Sequence, residues 1–574
     1  MPILPRLKEQ PAERQFTDCF YGYRRAARLN PGEFYHTENL STEAFPLLSQ
    51  RRKRGFVKKL SAPGALLGGE RLCYIDDGTL YIDGEATGLT GISPGEKQLV
   101  GMGAYICVFP DKLYYNCAEP TDFGSMEASY SSAGRVEYAL CTLDGGELPM
   151  PETSDSAPES PENGALWMDN TVLRQWSEAL SCWVELTGVY VKLSFISEGE
   201  IPGLFNKLDG VRISGAAVED LNGSKILYGL GTDKAGRDYI LLQGLITESI
   251  SQSEGSVTIE RRLPQMDYVC QCRNRLWGCR WGGGLNEIYC CALGDFKNWE
   301  QFLGLSTDSW RASVGVEGEW TGAVCFMDSP CFFKASGIGR VSVSELGAHR
   351  LSFIGCSGME QGSHRSAAQC DGALIYKAPG AVCIWQGGYP EEISQALGDV
   401  SYKNAVSAAL GKLIYISMED EAGQRQLFVY DMRRKLWIRE DSLPISQLAA
   451  VGQELYALAH NELWALRGSV GESESFIPWQ AQSGVMGYRQ PGKKYISRFI
   501  LRLEMEQGAE MRVYVRYDSG EDWLLQGEIS RRGRGSVLIP VRPRRCDHME
   551  LKLEGRGEVR LLSLCRVLER GGDI

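Results

Sequence analysis

Short runs in which apolar and polar residues alternate make up most of the chain. Leu501, Leu503 and Met505, for example, are separated by Arg502 and Glu504. A period of two places successive side chains on opposite faces of a β-strand. Glycine breaks most of these runs, so the pattern predicts an all-β protein built from short strands.

One segment has a helical period instead. In residues 170–183 the apolar side chains of Val172, Trp176, Leu180 and Trp183 recur every three or four positions, and Asn170 precedes them as a suitable N-cap. This spacing predicts a helix.

A turn followed by an apolar or aromatic pair recurs along the chain. The copies fall at residues 78–81, 103–106, 274–277, 328–332, 372–376, 411–415 and 453–456. The later copies are about 40–55 residues apart, which is the length of a four-stranded propeller blade. The repeat therefore predicts a β-propeller of about six or seven blades.

Changes in composition divide the chain into six predicted parts. A proline-rich acidic stretch interrupts the repeats, and a new alternating pattern begins near residue 474. The parts are an N-terminal arm (1–60), the first blades (61–146), an acidic linker (147–169), an inserted helix with a small β-domain (170–264), the remaining blades (265–473) and a C-terminal β-sandwich (474–574).

Charge separates the last part from the rest. The 574 residues carry a net charge of −12, whereas the segment from Arg489 onward has 18 basic and 13 acidic residues, a balance of +5. The remainder therefore carries −12 − 5 = −17. An acidic body argues against a protein that grips nucleic acid over its whole surface, and neither a membrane helix nor a secretory signal is expected.

The 18 cysteines lie mostly in apolar runs, which favours reduced, buried thiols in a cytosolic protein. The densest group is Cys270, Cys272, Cys279, Cys290 and Cys291. It lacks paired C-x-x-C spacing, so a zinc site is the weaker alternative to strand packing.

Motifs for catalysis are missing from the sequence. The five histidines have no partners at ligand spacing, and neither a nucleophile elbow nor a phosphate-binding loop is found. Residues 306–310 and 519–523 only partly match the S-x-D-x-G-x-x-W turn of sialidase blades. No catalytic residue, metal or cofactor is predicted, and a Ser-His-Asp site would need distant residues to meet.

Two basic clusters stand out, at residues 51–54 and 531–545, and they suit a subunit interface or nucleic-acid contact. We predict that arginines of these two clusters, together with residues of the aromatic N-terminal segment, form subunit interfaces. The interface candidates are Phe20, Tyr23, Asn39, Arg51, Arg52, Arg54, Arg531, Arg532, Arg534, Arg542, Arg544 and Arg545.

Several strings of the sequence resemble a family of virion proteins from phages and prophages of Gram-positive bacteria. They are Phe20-Tyr21-Gly22-Tyr23, Pro31-Gly32-Glu33-Phe34, Glu38-Asn39-Leu40-Ser41, Phe45-Pro46-Leu47-Leu48-Ser49, Arg51-Arg52-Lys53-Arg54-Gly55, Asn274-Arg275-Leu276-Trp277-Gly278, Asn286-Glu287-Ile288-Tyr289, Leu293-Gly294-Asp295, Asn298-Trp299, Arg545-Cys546-Asp547-His548 and Glu569-Arg570-Gly571. The chain is more distantly similar to the propeller DNA-stabilisation and tail-nozzle proteins of short-tailed phages.

This resemblance implies a non-enzymatic structural protein of the head–tail junction or tail nozzle. It implies a homo-oligomeric ring, a hexamer by preference, around the DNA path, which helps to retain and release the genome. Its partners would be a portal or adaptor and the tail proteins, and genome DNA would pass through the ring without specific binding. The protein would be assembled into the virion in the host cytoplasm and would have no membrane partner.

Two rival functions remain open at the level of sequence. The first is a tail-tip or receptor-binding protein whose C-terminal sandwich binds carbohydrate, with Tyr514 and Trp523 stacking on sugar rings. The second is a propeller glycosidase, which would need a pair of carboxylates that the sequence does not single out.

Overall fold

The computed structural model of the protein describes residues 12–344, 347–487 and 493–570. Within these ranges the chain is almost entirely strands and turns, and the single α-helix is the five-residue α1 (Glu200–Leu204). The predicted all-β class is confirmed. No helix in the described ranges is long and apolar enough to cross a membrane.

The chain forms two compact units. One comprises Met1–Glu96, Phe332–Gly339 and Phe353–Ile574, and the other comprises Lys97–Cys331 and Arg340–Ser352. Of the predicted arm, residues 1–11 lie outside the described part of the chain, as does Gly571 of the C-terminal string.

The N-terminal segment contributes strands to three different sheets of the first unit. They are β1 (Glu13–Thr17), β2 (Gly22–Tyr23), β3 (Glu33–Glu38), β4 (Leu40–Ser41), β5 (Leu48–Gln50) and β6 (Gly55–Lys59).

Two four-stranded antiparallel sheets of consecutive strands follow. The first consists of β7 (Pro63–Leu67), β8 (Cys73–Asp76), β9 (Thr79–Ile82) and β10 (Glu85–Ala86), and the second of β11 (Gln98–Met102), β12 (Tyr105–Phe109), β13 (Leu113–Asn116) and β14 (Phe123–Ser125). The turn between β8 and β9 shows why the sequence folds this way. Asp77 and Gly78 both have positive φ, as the tightest hairpin turns require, and the Asp-Gly pair tolerates that conformation.

An inserted region of the second unit has its own apolar core, centred on residues such as Leu193, Phe195 and Ile240. Its strands are β15 (Ala128–Ser131), β16 (Val136–Cys141), β17 (Leu166–Asp169), β18 (Val172–Ser177), β19 (Cys182–Glu185), β20 (Tyr190–Ser194), β21 (Gly210–Ser214), β22 (Gly223–Ile226), β23 (Gly229–Thr232), β24 (Asp238–Gln243), β25 (Ile250–Gln252) and β26 (Thr258–Arg261). They form sheets in the orders β15-β26-β21-β22, β23-β24-β20-β16-β25 and β17-β18-β19. A 3-10 turn at Glu219–Leu221 also belongs to this region.

The predicted helix at residues 170–183 is wrong, because these residues form β18, β19 and their turns. Asn170 has a left-handed φ of 55° and turns the chain from β17 into β18 instead of capping a helix. Trp176 pairs directly with Trp183 across β18 and β19, with ring centroids 5.5 Å apart. The predicted linker is also partly structured, since β17 lies within it and pairs with Glu152 through Trp167.

The chain then returns to sheets of four consecutive strands. The first consists of β27 (Tyr268–Gln271), β28 (Leu276–Gly282), β29 (Leu285–Cys290) and β30 (Trp310–Ser313), and the second of β31 (Gly322–Phe326), β32 (Ser329–Lys334), β33 (Gly337–Val343) and β34 (His349–Gly355).

Most cysteines are buried as predicted, but one pair departs from the expectation of reduced thiols. Cys272, just after β27, and Cys325, on β31, form a disulfide. Burial raises the pKa of neighbouring free thiols, to about 12 for Cys290. In the described residues, no group of histidine, cysteine and acidic side chains is arranged to hold a metal ion.

Three further sheets of the first unit repeat the same meander. They contain β35 (Ala368–Cys370), β36 (Ala373–Ala378), β37 (Ala381–Trp385) and β38 (Glu391–Glu392); β39 (Lys403–Leu410), β40 (Leu413–Glu419), β41 (Arg425–Asp431) and β42 (Leu436–Asp441); and β43 (Ile445–Val451), β44 (Glu454–Ala459), β45 (Glu462–Ala465) and β46 (Glu472–Ser473). In the last of these sheets β6, from the N-terminal segment, lies between β45 and β46. Two 3-10 turns, His364–Ser366 and Ser394–Leu397, precede and follow the first sheet.

The C-terminal strands build two six-stranded sheets, which we call the β48 sheet and the β52 sheet. The strands are β47 (Pro478–Ser483), β48 (Lys494–Met505), β49 (Glu510–Tyr517), β50 (Leu524–Ile529), β51 (Gly533–Pro540), β52 (Met549–Arg556) and β53 (Val559–Arg570). The β48 sheet has the order β4-β5-β53-β48-β51 with β1 on β53, and the β52 sheet has the order β2-β3-β47-β52-β49-β50. One apolar core lies between them and includes Phe499, Leu501, Val513 and Leu553.

This topology corrects the predicted separation of an arm (1–60) from a C-terminal domain (474–574). Strands β1 and β5 pair with β53, and β3 pairs with β47. The N-terminal segment is therefore part of both terminal sheets, because its aromatic residues, such as Phe20 and Phe34, supply core that the C-terminal strands do not.

Candidate functional site

The first predicted basic cluster lies inside the chain. Arg51 is 7% exposed, and its guanidinium donates two hydrogen bonds to Glu474, at 2.7 and 3.1 Å. Arg54 is 3% exposed and donates to Glu440 at 2.8 Å and to Asp441 at 2.5 Å. The interpretation of these two arginines as interface residues is wrong, because intramolecular carboxylates already bind them.

Three more interface candidates are also enclosed by the chain itself. Phe20 stacks on Phe34 in the core between the terminal sheets. Tyr23 is buried in the core that contains Phe428. Asn39 accepts a hydrogen bond from Nε of Arg51 at 2.7 Å. They are not available to a partner, since folding of the N-terminal segment into the terminal sheets covers them.

The remaining candidates are exposed. Arg52 pairs with Glu43 at the surface, at 2.8 Å. The others are Arg531, Arg532, Arg534, Arg542, Arg544 and Arg545, which lie on β51 or in the turns flanking it. An interface role for these residues stays a prediction.

A cleft of about 290 Å³ opens on the face of the β52 sheet that points away from its core. Strands β3, β47, β49 and β52 supply its walls. The lining residues are Glu38, Pro478, Trp479, Gln480, Glu510, Arg512, Glu554, Gly555 and Arg556. None of them belongs to the predicted interface set.

Strand register aligns four of the lining side chains in one row. Glu38 is opposite Gln480, Gln480 is opposite Glu554, and Glu554 is opposite Arg512. Directly opposed residues point to the same face of a sheet, and neighbouring strands are about 4.8 Å apart. The row thus crosses roughly 14 Å of sheet with alternating acceptor and donor groups.

A second row flanks the first. Pro478 is opposite Arg556, and Arg556 is opposite Glu510. Arg556 donates a hydrogen bond of 2.7 Å from Nη2 to Glu510, which fixes both side chains at the rim. Glu554 is held by an ion pair of 2.5 Å with Lys552.

Trp479 and Gly555 are opposite each other on β47 and β52, one position along from Gln480 and Glu554, so the Trp479 indole packs into the core on the other face of the sheet. Trp479 is 4% exposed, and within the described residues its buried Nε1 donates to no acceptor. A Cβ on residue 555 would lie 2.5 Å from Cε2 of the indole, so only glycine leaves room for the ring edge that carries Nε1.

The charges of the cleft nearly balance. A hydrogen bond from His36 lowers the pKa of Glu38, which is therefore ionised at neutral pH. Three carboxylates and two guanidinium groups line the site, and Gln480 can both donate and accept. Such a lining suits a neutral ligand rich in hydroxyl groups better than a highly charged one.

The aromatic residues predicted to stack on sugar lie further along the same sheet face. The amine of Lys552 lies 4.6 Å from the ring centre of Tyr514 and 5.1 Å from that of Trp523. The guanidinium of Arg516 lies 4.7 Å from the ring centre of Trp523. Cations of the chain already contact these rings, so the cleft and not the aromatic pair is the better site for a ligand.

Sequence reasoning missed the cleft for an identifiable reason. In the sequence, Arg512, Tyr514 and Arg516 alternate with apolar residues, which indicates one polar sheet face. Glu38, however, lies more than 400 positions before Gln480 in the sequence, and only the pairing of β3 with β47 brings them together.

Neither a protein-family model nor a curated protein matches the chain. Several solved structures match parts or all of the chain with low scores. An exo-β-1,3-galactanase from Phanerochaete chrysosporium matches with a TM-score of 0.22 and 10% identity over 51% of this chain and 92% of that one. A glycoside hydrolase family 43 arabinoxylan arabinofuranohydrolase from Bacillus subtilis matches with a TM-score of 0.18 and 10% identity, over 89% of this chain and 96% of that one. Trypanosoma rangeli sialidase matches with a TM-score of 0.20 and 8% identity, over 98% of this chain and 97% of that one.

These similarities correct two expectations. The chain was predicted to be a virion structural protein and not to be an enzyme, but the structures it resembles are glycoside hydrolases and a sialidase. The TM-scores are too low to carry any of these activities over to this chain. Its function must therefore be argued from its own residues.

Proposed function

We propose that the protein binds carbohydrate in the cleft of the β52 sheet. The observation that carries this proposal is the row of Glu38, Gln480, Glu554 and Arg512 across four neighbouring strands. Carboxylate, amide and guanidinium groups are the side chains that can bond to adjacent hydroxyl groups in a fixed plane.

The dimensions of the cleft support a short saccharide segment as the ligand. Its volume of about 290 Å³ is at the lower end of small-molecule sites. The rim is open along the sheet, so a longer chain of sugars can extend beyond it over the polar face that carries Tyr514 and Lys552.

The architecture we propose around this site is a β-propeller with a C-terminal β-sandwich. The seven blades would be the sheets that begin with β7, β11, β27, β31, β35, β39 and β43. Pairing of β6 with β45 supports this assignment, because a strand from the N-terminal segment then completes the last blade. The two six-stranded terminal sheets, with their shared core, would be the sandwich.

The test is a glycan array probed with the full-length protein, followed by titration calorimetry with the oligosaccharide that gives the strongest signal. Glu38→Ala and Arg512→Ala should each weaken binding about 10- to 150-fold, as expected for loss of a hydrogen bond to a charged group. Glu504→Ala and Arg502→Ala are matched controls, since both residues are exposed on β48 in the other terminal sheet and should leave affinity unchanged.

Two results would overturn the proposal. One is a folded protein that binds none of the oligosaccharides on the array. The other is saccharide binding that Glu38→Ala and Arg512→Ala leave as strong as in the parent protein, because the ligand would then sit elsewhere.

A further inference from the structure

Ser519, His548 and Asp547 come together at the end of the β52 sheet away from the cleft. Ser519 lies in the turn after β49, and His548 directly precedes β52, the strand paired with β49. Oγ of Ser519 is 2.8 Å from Nε2 of His548, and Nδ1 of the same ring is 3.3 Å from Oδ2 of Asp547. A Ser-His-Asp arrangement was not expected from the sequence, because these residues carry no recognisable motif.

The two ring nitrogens are bound in the order that a nucleophilic serine requires. With Nδ1–H donating to the carboxylate, Nε2 is left as an acceptor for the serine hydroxyl. Asp518 holds this loop in place, since its Oδ1 accepts the backbone N–H groups of Asp547 at 2.8 Å and His548 at 3.1 Å. The same oxygen lies 3.9 Å from Nδ1, so a second carboxylate faces the ring.

The turn that carries the serine has two left-handed residues, as the tightest hairpin turns require. Asp518 and Ser519 have φ values of 49° and 53°, and Gly520 N–H closes the turn onto the carbonyl of Tyr517 at 2.9 Å. A tight turn with two left-handed residues favours glycine at its second position, where serine is strained.

A substrate could reach the serine and be polarised there. Ser519 is exposed, and the side chain of His548 is 17% exposed. Among the described residues, the backbone N–H of Ser519 has no acceptor, so it can donate to a carbonyl oxygen that approaches Oγ.

We propose that Ser519 and His548 form a catalytic centre for the hydrolysis of small esters, with Asp547 positioning the imidazole. Oγ attacks the ester carbonyl carbon while its proton passes to Nε2. The bond from carbon to the leaving alkoxy oxygen then breaks, and that oxygen leaves as an alcohol with the proton from Nε2. Water attacks the acyl-serine, gives a proton to Nε2 and releases the carboxylic acid as the proton returns to Oγ. This activity goes beyond carbohydrate binding and does not depend on the cleft.

The experiment uses the full-length protein, a fluorophosphonate probe and hydrolysis of p-nitrophenyl acetate. The probe should modify one residue, which peptide mapping identifies as Ser519. Ser519→Gly and His548→Gln should each lower hydrolysis at least about 100-fold. Ser530→Gly, a change at an exposed serine near the start of β51, should leave the rate unchanged.

Folding and catalysis can be told apart with these variants. Ser519→Gly relieves the strain of the turn, so its melting temperature should equal or exceed that of the parent while its activity is lost. Asp547→Asn should slow hydrolysis, and Asp547→Glu should restore most of the rate, as a positioning role requires. The proposal is overturned if the probe leaves Ser519 unmodified, or if Ser519→Gly hydrolyses the ester as fast as the parent.

Discussion

Replacement of Arg54 by methionine should strongly destabilise the first unit. Arg54 is 3% exposed and binds two carboxylates, Glu440 and Asp441, of which Glu440 is itself 5% exposed. Methionine keeps much of the side-chain volume but leaves both carboxylates without their cation. Removal of one partner from a buried ion pair costs about 3–5 kcal/mol, because the other charge stays buried.

The pKa shifts predict how this loss depends on pH. Burial raises the pKa of Glu440 even with Arg54 present. Burial alone would also raise the pKa of Asp441, but the charge and hydrogen bonds of Arg54 lower it overall. Without Arg54 both carboxyl groups should bind protons more tightly in the folded state than in the unfolded state, and stability then falls as pH rises through the acidic range. The deficit of the variant should be small near pH 4 and largest at neutral pH.

Differential scanning calorimetry over pH 4–8 measures this effect. At about 2 °C per kcal/mol, the first unit should melt roughly 6 °C or more below the parent at pH 7. Arg52→Met is the matched control, because Arg52 is 59% exposed in its pair with Glu43 and should contribute less than about 1 kcal/mol. A loss of less than 1 °C for Arg54→Met, or a deficit that is the same at every pH, would refute the reasoning.

Three other predictions concern covalent structure, packing and topology. Alkylation of the denatured protein without reductant should modify 16 of its 18 cysteines, and modification of all 18 would contradict the disulfide. Replacement of Cys272 and Cys325 by serine should lower the free energy of unfolding by about 4 kcal/mol, since the disulfide closes a loop of 53 residues. Gly555→Ala should destabilise the terminal sheets by about 1–3 kcal/mol, because the new methyl group meets the Trp479 indole; unchanged melting would count against the packing described. A fragment of residues 474–570 should be insoluble, whereas the same fragment with residues 12–50 fused after residue 570 should fold, as circular dichroism and gel filtration can show. A soluble, folded short fragment would mean that β3 and β5 are dispensable.

Local sequence pattern was enough to predict the class of the protein and many of its strands. The alternation in residues 511–517 corresponds to β49, in which Met511, Val513 and Val515 face the core. The Asp77-Gly78 pair marks a real hairpin turn between β8 and β9. These features were predictable because side-chain alternation and left-handed turn residues act over only a few positions.

Only the tertiary structure decided the partners of these strands and the positions of the sites. Apolar residues spaced by three or four positions in 170–183 satisfy a helix as well as a hairpin, and pairing of Trp176 with Trp183 selects the hairpin. Burial of Arg51 depends on Glu474, and the cleft depends on Glu38 meeting Gln480, in both cases more than 400 positions apart. Such pairings depend on which apolar faces from distant segments pack into one core. A local pattern shows that a strand has an apolar face, but it does not show which distant strand will pair with it.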